Sequence, residues 1–301
     1  MLIGPERHVA ENSTLGDRVR RTLDIAHRWG YAPTAAALGE ILVRGAVPTH
    51  EILEAIHGMR GVVYREGFVH RVGFGDLVER SSARVGAHQM RNGWAQTVAE
   101  RYAMDLVRTC PLVTCVSLAG SAASGGYAGD DDIDFDLLVA DDAKYLVYAF
   151  ALLLGLRVSI HNRKGLRKVI CINVLWTRSE SMPFRRQDED LAFELLHCRP
   201  LAGVEEFRRV VAANEWARGI FPQLGEKVDA SGPLPEPDSL GRAIRWIGVH
   251  PSLLRSLNEA SRIFTHAVYS FAHWLRRHDV EKTRRLEFLQ RVKYPYEVFQ
   301  D

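Results

Sequence analysis

The chain has 301 residues with 39 Lys plus Arg against 37 Asp plus Glu, a formal net charge of +2. That balance argues against a polycation that coats nucleic acid, and 47% hydrophobic with 25% charged residues is the composition of an ordinary globular protein. The longest uncharged apolar stretch, Tyr145 to Leu156, has 12 residues, short of the roughly 20 that a helix needs to cross a bilayer, so no membrane span is expected.

The first residues, Met1 to Arg7, lack a basic region followed by an apolar run, so no secretory leader is read there and a cytoplasmic protein is expected. Apolar positions recur at helical spacing over 17–30, 33–44 and 49–58, with Gly30, Gly45 and Gly58 at the ends and Pro33 and Pro48 at two starts. Two β-prone runs around Glu66-Gly67 then predict a hairpin over 61–71. Three helices and a hairpin resemble a winged helix, which implies a first domain over 1–75. Glu51 and Glu54 sit on the helix that would enter a groove, which carries no Lys or Arg, so DNA binding is not expected of it.

An amphipathic pattern over 86–109 predicts a longer helix, stopped by Pro111. Strands follow over 112–118, 133–140, 157–160 and 168–176, with a helix over 142–154 between the second and third. From Asp188 the pattern is helical again through 191–196 and 203–218. Three prolines in 231–237 mark a linker, and 239–293 reads as helical. Fold class is therefore α+β, with a central mixed sheet and flanking helices over 76–185 and a helical region over 186–301. Cys110, Cys115, Cys171 and Cys198 are too few for a disulfide framework and form no Cys-x-x-Cys pair, so buried reduced thiols are expected.

The informative stretch runs from Leu118 to Val139. A strand leads into Gly120-Ser121, where glycine permits close backbone approach to an anion and serine adds a hydroxyl and an amide. In the next strand Asp132, Asp134 and Asp136 share one face, while Ile133, Phe135 and Leu137 take the other. Three carboxylates in a row repel one another, and a hard divalent cation with oxygen ligands is the usual remedy. Asp132 and Asp136 lie roughly 13 Å apart along the strand, so an adjacent pair must do the binding.

Gly120-Ser121, Ala123, Gly125 and an Asp-Ile-Asp after ten intervening residues resemble the DNA polymerase β-like nucleotidyltransferases, in particular the minimal bacterial and antibiotic-modifying enzymes. Pro200 to Gly203 and Asn214 to Trp216 are similar to segments that accompany this domain in bacterial proteins. The resemblance implies a transferase of the 2.7.7 type. It would move a nucleoside monophosphate from a nucleoside triphosphate (NTP, ATP among them) to an acceptor hydroxyl or phosphate and release pyrophosphate. On that reading Gly120 and Ser121 hold the triphosphate, Asp132 and Asp134 bind Mg²⁺, as two ions, and Asp136 is a third catalytic carboxylate or base. Asp134 and Asp136 become the metal pair only if the register slips by two. The family takes a further carboxylate from a later strand, where this chain offers Asn173; Asp136 or Glu194 would substitute. The departure leaves a second reading open, a winged-helix nucleic-acid-binding or regulatory protein with a nucleotide-sensing, inactive transferase domain.

A small-molecule acceptor is favoured over tRNA or protein because the net charge is nearly neutral. Arg157, Arg163, Lys164, Arg167 and Lys168, with Lys144, could hold the triphosphate or form a solvated face, and the Arg276 to Lys293 stripe reads first as a solvated helix face. His161 and His197 have no partner at metal-ligand spacing and read as structural.

Overall fold

A computed structural model describes residues 13–129, 131–161, 168–225 and 234–275. Helices α1 (Leu15–Arg28), α2 (Ala35–Glu40) and α3 (Thr49–Ile56) precede a hairpin of β1 (Val62–Arg65) and β2 (Phe68–Arg71), as the turn glycines predict. Thr14 starts α1 with a capping box: its hydroxyl takes the Asp17 amide while the Asp17 carboxylate reaches back. Val19, Leu23, Leu38, Leu42, Ile52, Ile56 and Val69 close a core over these elements. His27 ties helix to hairpin, its Nε2 accepting from the Arg71 amide at 3.1 Å, and burial lowers its proton affinity.

Helix α4 (Asp76–Thr109) begins ten residues earlier than the amphipathic pattern suggests and ends where Pro111 requires. Strand β3 (Val113–Leu118), a short turn α5 (Gly120–Ala123), β4 (Ile133–Val139), α6 (Lys144–His161) and β5 (Ile170–Thr177) follow. After α7 (Arg178–Ser181) and α8 (Glu189–His197) comes β6 (Arg199–Ala202), then α9 (Val204–Ala213), α10 (Glu215–Ile220), α11 (Ser239–Gly248) and α12 (Pro251–Leu275). The four-stranded sheet has the order β5-β4-β3-β6, with β4 parallel to β5 and both other pairs antiparallel. The protein is thus mixed α+β.

One face of β4 carries Ile133, Phe135, Leu137 and Val139 into a core shared with α4 and α6, and the other carries Leu138 into a second core with Trp176, Phe193 and Phe221. Ile25 and Val43 from the N-terminal segment join that second core. Glu189 receives Arg21, and Asp190 receives Arg28 at 3.1 Å and the Trp29 indole N–H at 3.3 Å. The N-terminal segment is therefore fastened to α8 by both apolar and charged contacts.

Several expectations need correction. Arg157 to Ile160, predicted as a strand, is the last part of α6. The helix continues because Gly155 has no side chain to hold it off β5; a Cβ there would lie 3.2 Å from Ile170. The helix predicted over 203–218 is two helices broken at Asn214. The short edge strand β6 was not predicted at all, since Pro200 cannot donate to a ladder and reads as a break. The first half of the proline-rich linker and the tail beyond Leu275, with its basic stripe, lie outside the described residues, as do Arg163, Lys164 and Arg167. By length and hydropathy α6 is the one helix among the described residues that could cross a membrane. It lies against the sheet through Leu146, Val147, Ala151 and Gly155, and Asn258 of α12 caps its first amides at 2.8 and 3.1 Å.

Candidate functional site

The site lies where β3 ends and β4 begins. Antiparallel pairing sets Leu118 opposite Phe135, and the Ala119 amide donates to the Asp134 carbonyl at 2.9 Å. The chain then turns through Gly120 with φ +59, a left-handed conformation that glycine adopts without strain. The turn packs directly on the Asp134 carboxylate: any Cβ at residue 120 would overlap it. Glycine's close approach is thus made, and the anion it approaches is a carboxylate of the chain.

Ser121 is committed elsewhere. Its hydroxyl donates to Asp131 Oδ2 at 2.9 Å, an oxygen that also accepts the Ala128 amide at 3.1 Å and the Arg84 guanidinium. Asp131, which sequence reasoning left without a role, therefore staples the 125–131 loop to the turn. The signal was present: an aspartate ten positions after a turn serine is close enough for such a bond once the loop folds back.

The three strand carboxylates share the predicted face but not one environment. Asp132 and Asp134 are partly accessible, and one oxygen of each lies within 4.8 Å of the other and of the Cys171 sulfur on β5. Lys168 neutralises Asp132 at 3.5 Å. Asp136 is 2% exposed and belongs to an inner cluster with Glu194 of α8 and Cys198. The Asn173 amide donates to Asp136 Oδ1 at 3.2 Å and to Glu194 Oε1 at 3.4 Å, and the Cys198 thiol donates to Asp136 Oδ2 at 3.2 Å. Asn173 on β5 thus serves as a hydrogen-bond donor to both carboxyls of the inner cluster.

Burial is the largest influence on this inner pair. It pushes Asp136 up to about 6, against the lowering effect of donors from Cys198, Glu194 and Asn173. Glu194 is raised well above the ordinary carboxylate value by burial, then by the charges of Asp136 and Asp134, so it holds the proton that it shares with Asp136. Cys198 is likewise held as a thiol by burial and by the adjacent carboxylates. All four cysteines are free and buried, as expected, and burial pushes Cys110 and Cys115 up to about 12.

Both carboxyls bind protons more tightly folded than unfolded. Their contribution to stability is therefore complete below their ordinary values, 3.8 for Asp136 and 4.5 for Glu194, and is lost as pH rises through the raised values. Glu194→Gln keeps a donor for Asp136 but removes the titrating proton. It is expected to flatten the fall in melting temperature as pH rises through about 6, the raised value of Asp136, and on toward that of Glu194; an unchanged slope would mean that the pair does not titrate there.

Of the remaining candidates, Lys144 pairs with Glu180 at 2.8 Å, beyond β4 and away from the turn. His197 donates from Nδ1 to the Phe193 carbonyl, 2.9 Å away, and packs on the Phe193 ring, which fits a structural histidine. His161 ends α6, exposed. Compared with known protein families, curated proteins and solved structures, the chain finds no match.

Proposed function

We propose that the protein is a Mg²⁺-dependent nucleotidyltransferase of the DNA polymerase β-like kind, moving a nucleoside monophosphate from an NTP to an acceptor and releasing pyrophosphate. The observation that carries this reading is the apposition of the turn at left-handed Gly120, followed by Ser121, with Asp134 on a strand of alternating aspartates. Asp132 and Asp134 are the accessible pair within reach of one cation, and carboxylate oxygens are the ligands that Mg²⁺ takes, whereas the Cys171 sulfur is not. Asp132 and Asp134 would hold the ion, which would supply charge neutralisation at the transferring phosphate. Gly120 and the amides that follow it bring backbone donors to the phosphates. Asp136, kept anionic by donors from Asn173, Cys198 and the protonated Glu194, is the third carboxylate behind the pair.

The N-terminal elements support a winged-helix-like domain: three helices, a hairpin, and a single-residue β-bridge from Thr34 to Phe68. Glu51 and Glu54 remain its exposed or partly exposed helix face, which favours a positioning role over duplex binding. The domain limits 1–75, 76–185 and 186–301 belong to this reading, with the qualification that Glu194 and Cys198 of the third complete the site of the second. A small molecule remains the favoured acceptor.

Calorimetric titration of each NTP with Mg²⁺, and again with chelator, tests the reading. One NTP is expected to bind only with Mg²⁺, and the Asp132→Asn, Asp134→Asn double variant is expected to lose it. Loss in Asp134→Asn and Asp136→Asn but not in Asp132→Asn would move the metal pair one step inward, and no binding of any NTP would remove the transferase reading.

A further inference from the structure

A cavity of about 300 Å³ opens between α4 and the 125–131 loop, lined by Met90, Arg91, Trp94, Tyr127 and Gly129. Nothing in the proposed transfer chemistry uses it. Its walls combine aromatic and apolar groups with one cation: an indole, a phenol ring, a thioether and a guanidinium. Tyr127 is 2% exposed and forms the floor, while Met90 is 81% exposed and stands at the rim. The Arg91 guanidinium fills the space that a side chain at residue 129 would need, so Gly129 is what lets it lie across the loop. Arg91 has no acidic partner among the described residues.

Polar groups of α4 surround the cavity. Arg84, His88 and Arg91 recur along α4 at helical spacing and face the same loop, where Arg84 holds Asp131 and His88 accepts the Tyr127 amide at 3.2 Å. Arg199 on β6 lies near enough to His88 to lower its proton affinity, after burial. Two of the Arg199 guanidinium nitrogens, Nε and Nη2, are buried without a hydrogen-bond partner among the described residues. Rings and thioether suit a flat apolar ligand, guanidinium and indole suit stacking, and the Arg91 charge suits a negative group on the same ligand.

We propose that this cavity binds an aromatic anion, a flat ring system with a carboxylate, sulfonate or phosphate group, held by Trp94 and Arg91. The site does not rest on the transferase reading, and its occupant would touch the loop that Asp131 fastens to Ser121.

The test uses the full chain in metal-free, NTP-free buffer with naphthalene-2-sulfonate as probe, followed by calorimetry. Naphthalene-2-sulfonamide, uncharged, and methanesulfonate, without a ring, are each expected to bind at least about tenfold more weakly, since each lacks one of the two interactions. Trp94→Ala and Arg91→Ala are expected to weaken the sulfonate by about tenfold or more. Because Trp94 also packs on the main core, Gly129→Val serves as a second variant: it displaces the guanidinium without removing charge and should weaken the probe similarly while leaving the circular dichroism spectrum unchanged. Displacement of the probe by adenosine monophosphate would assign the cavity to a nucleotide, and its retention would assign it to a non-nucleotide aromatic acid. Equal binding of sulfonate and sulfonamide, or unaltered binding in Arg91→Ala and Gly129→Val, would overturn the proposal.

Discussion

Asp134→Asn is expected to lower nucleotidyl transfer by about 10³-fold or more, the scale of losing a group that stabilises transition-state charge. The amide fits the same space against Gly120, so the fold should not register the change; only the charge is lost. Asp132→Asn should cost less, because Lys168 already shares that carboxylate. Pyrophosphate release measured with a panel of acceptors, alongside the melting temperature, checks both points. Full turnover in Asp134→Asn would end the transferase reading, whereas lost turnover with a lowered melting temperature would implicate the fold instead.

Asn214→Ala is expected to destabilise the protein by roughly 4 kcal/mol, the sum of several buried hydrogen bonds left without a partner. Its side chain is fully buried and joins three segments. The oxygen accepts the Phe184 amide at 2.9 Å and the Trp216 indole N–H at 3.0 Å, and the amide donates to the Ser181 and Val210 carbonyls at 2.8 and 2.7 Å. This is also why the helix breaks there: a residue whose side chain bonds nearby backbone competes with the helical ladder. The urea midpoint of the variant measures the effect, and a loss under about 1 kcal/mol would mean that water replaces the side chain.

Strand β4 was legible because alternation needs no partner to be read: Ile133, Phe135 and Leu137 are apolar, and the aspartates between them are not. The Gly120 turn was legible for a similar local reason. What escaped was decided by tertiary contact. Arg157 to Ile160 is β-prone by composition, yet it extends α6 because Gly155 lets the helix lie on Ile170. Asp132 and Asp136 look alike in sequence, but α8 arrives from 60 residues away and encloses only Asp136, with Glu194 and Cys198. Ser121 fits a phosphate-binding serine by position, and only the folded 125–131 loop reveals that its hydroxyl already serves Asp131.

Helix α8 is held at its first turn by the arginines of α1 and supplies Glu194 to the inner carboxylates near its last turn. Ile25 and Val43 belong to the same apolar cluster as Trp176 and Phe193. The N-terminal segment is for that reason a wall of the protein's interior rather than an appendage. Cutting the chain after the hairpin would strip that interior open and loosen the helix that carries Glu194, so the segment and the site stand or fall together.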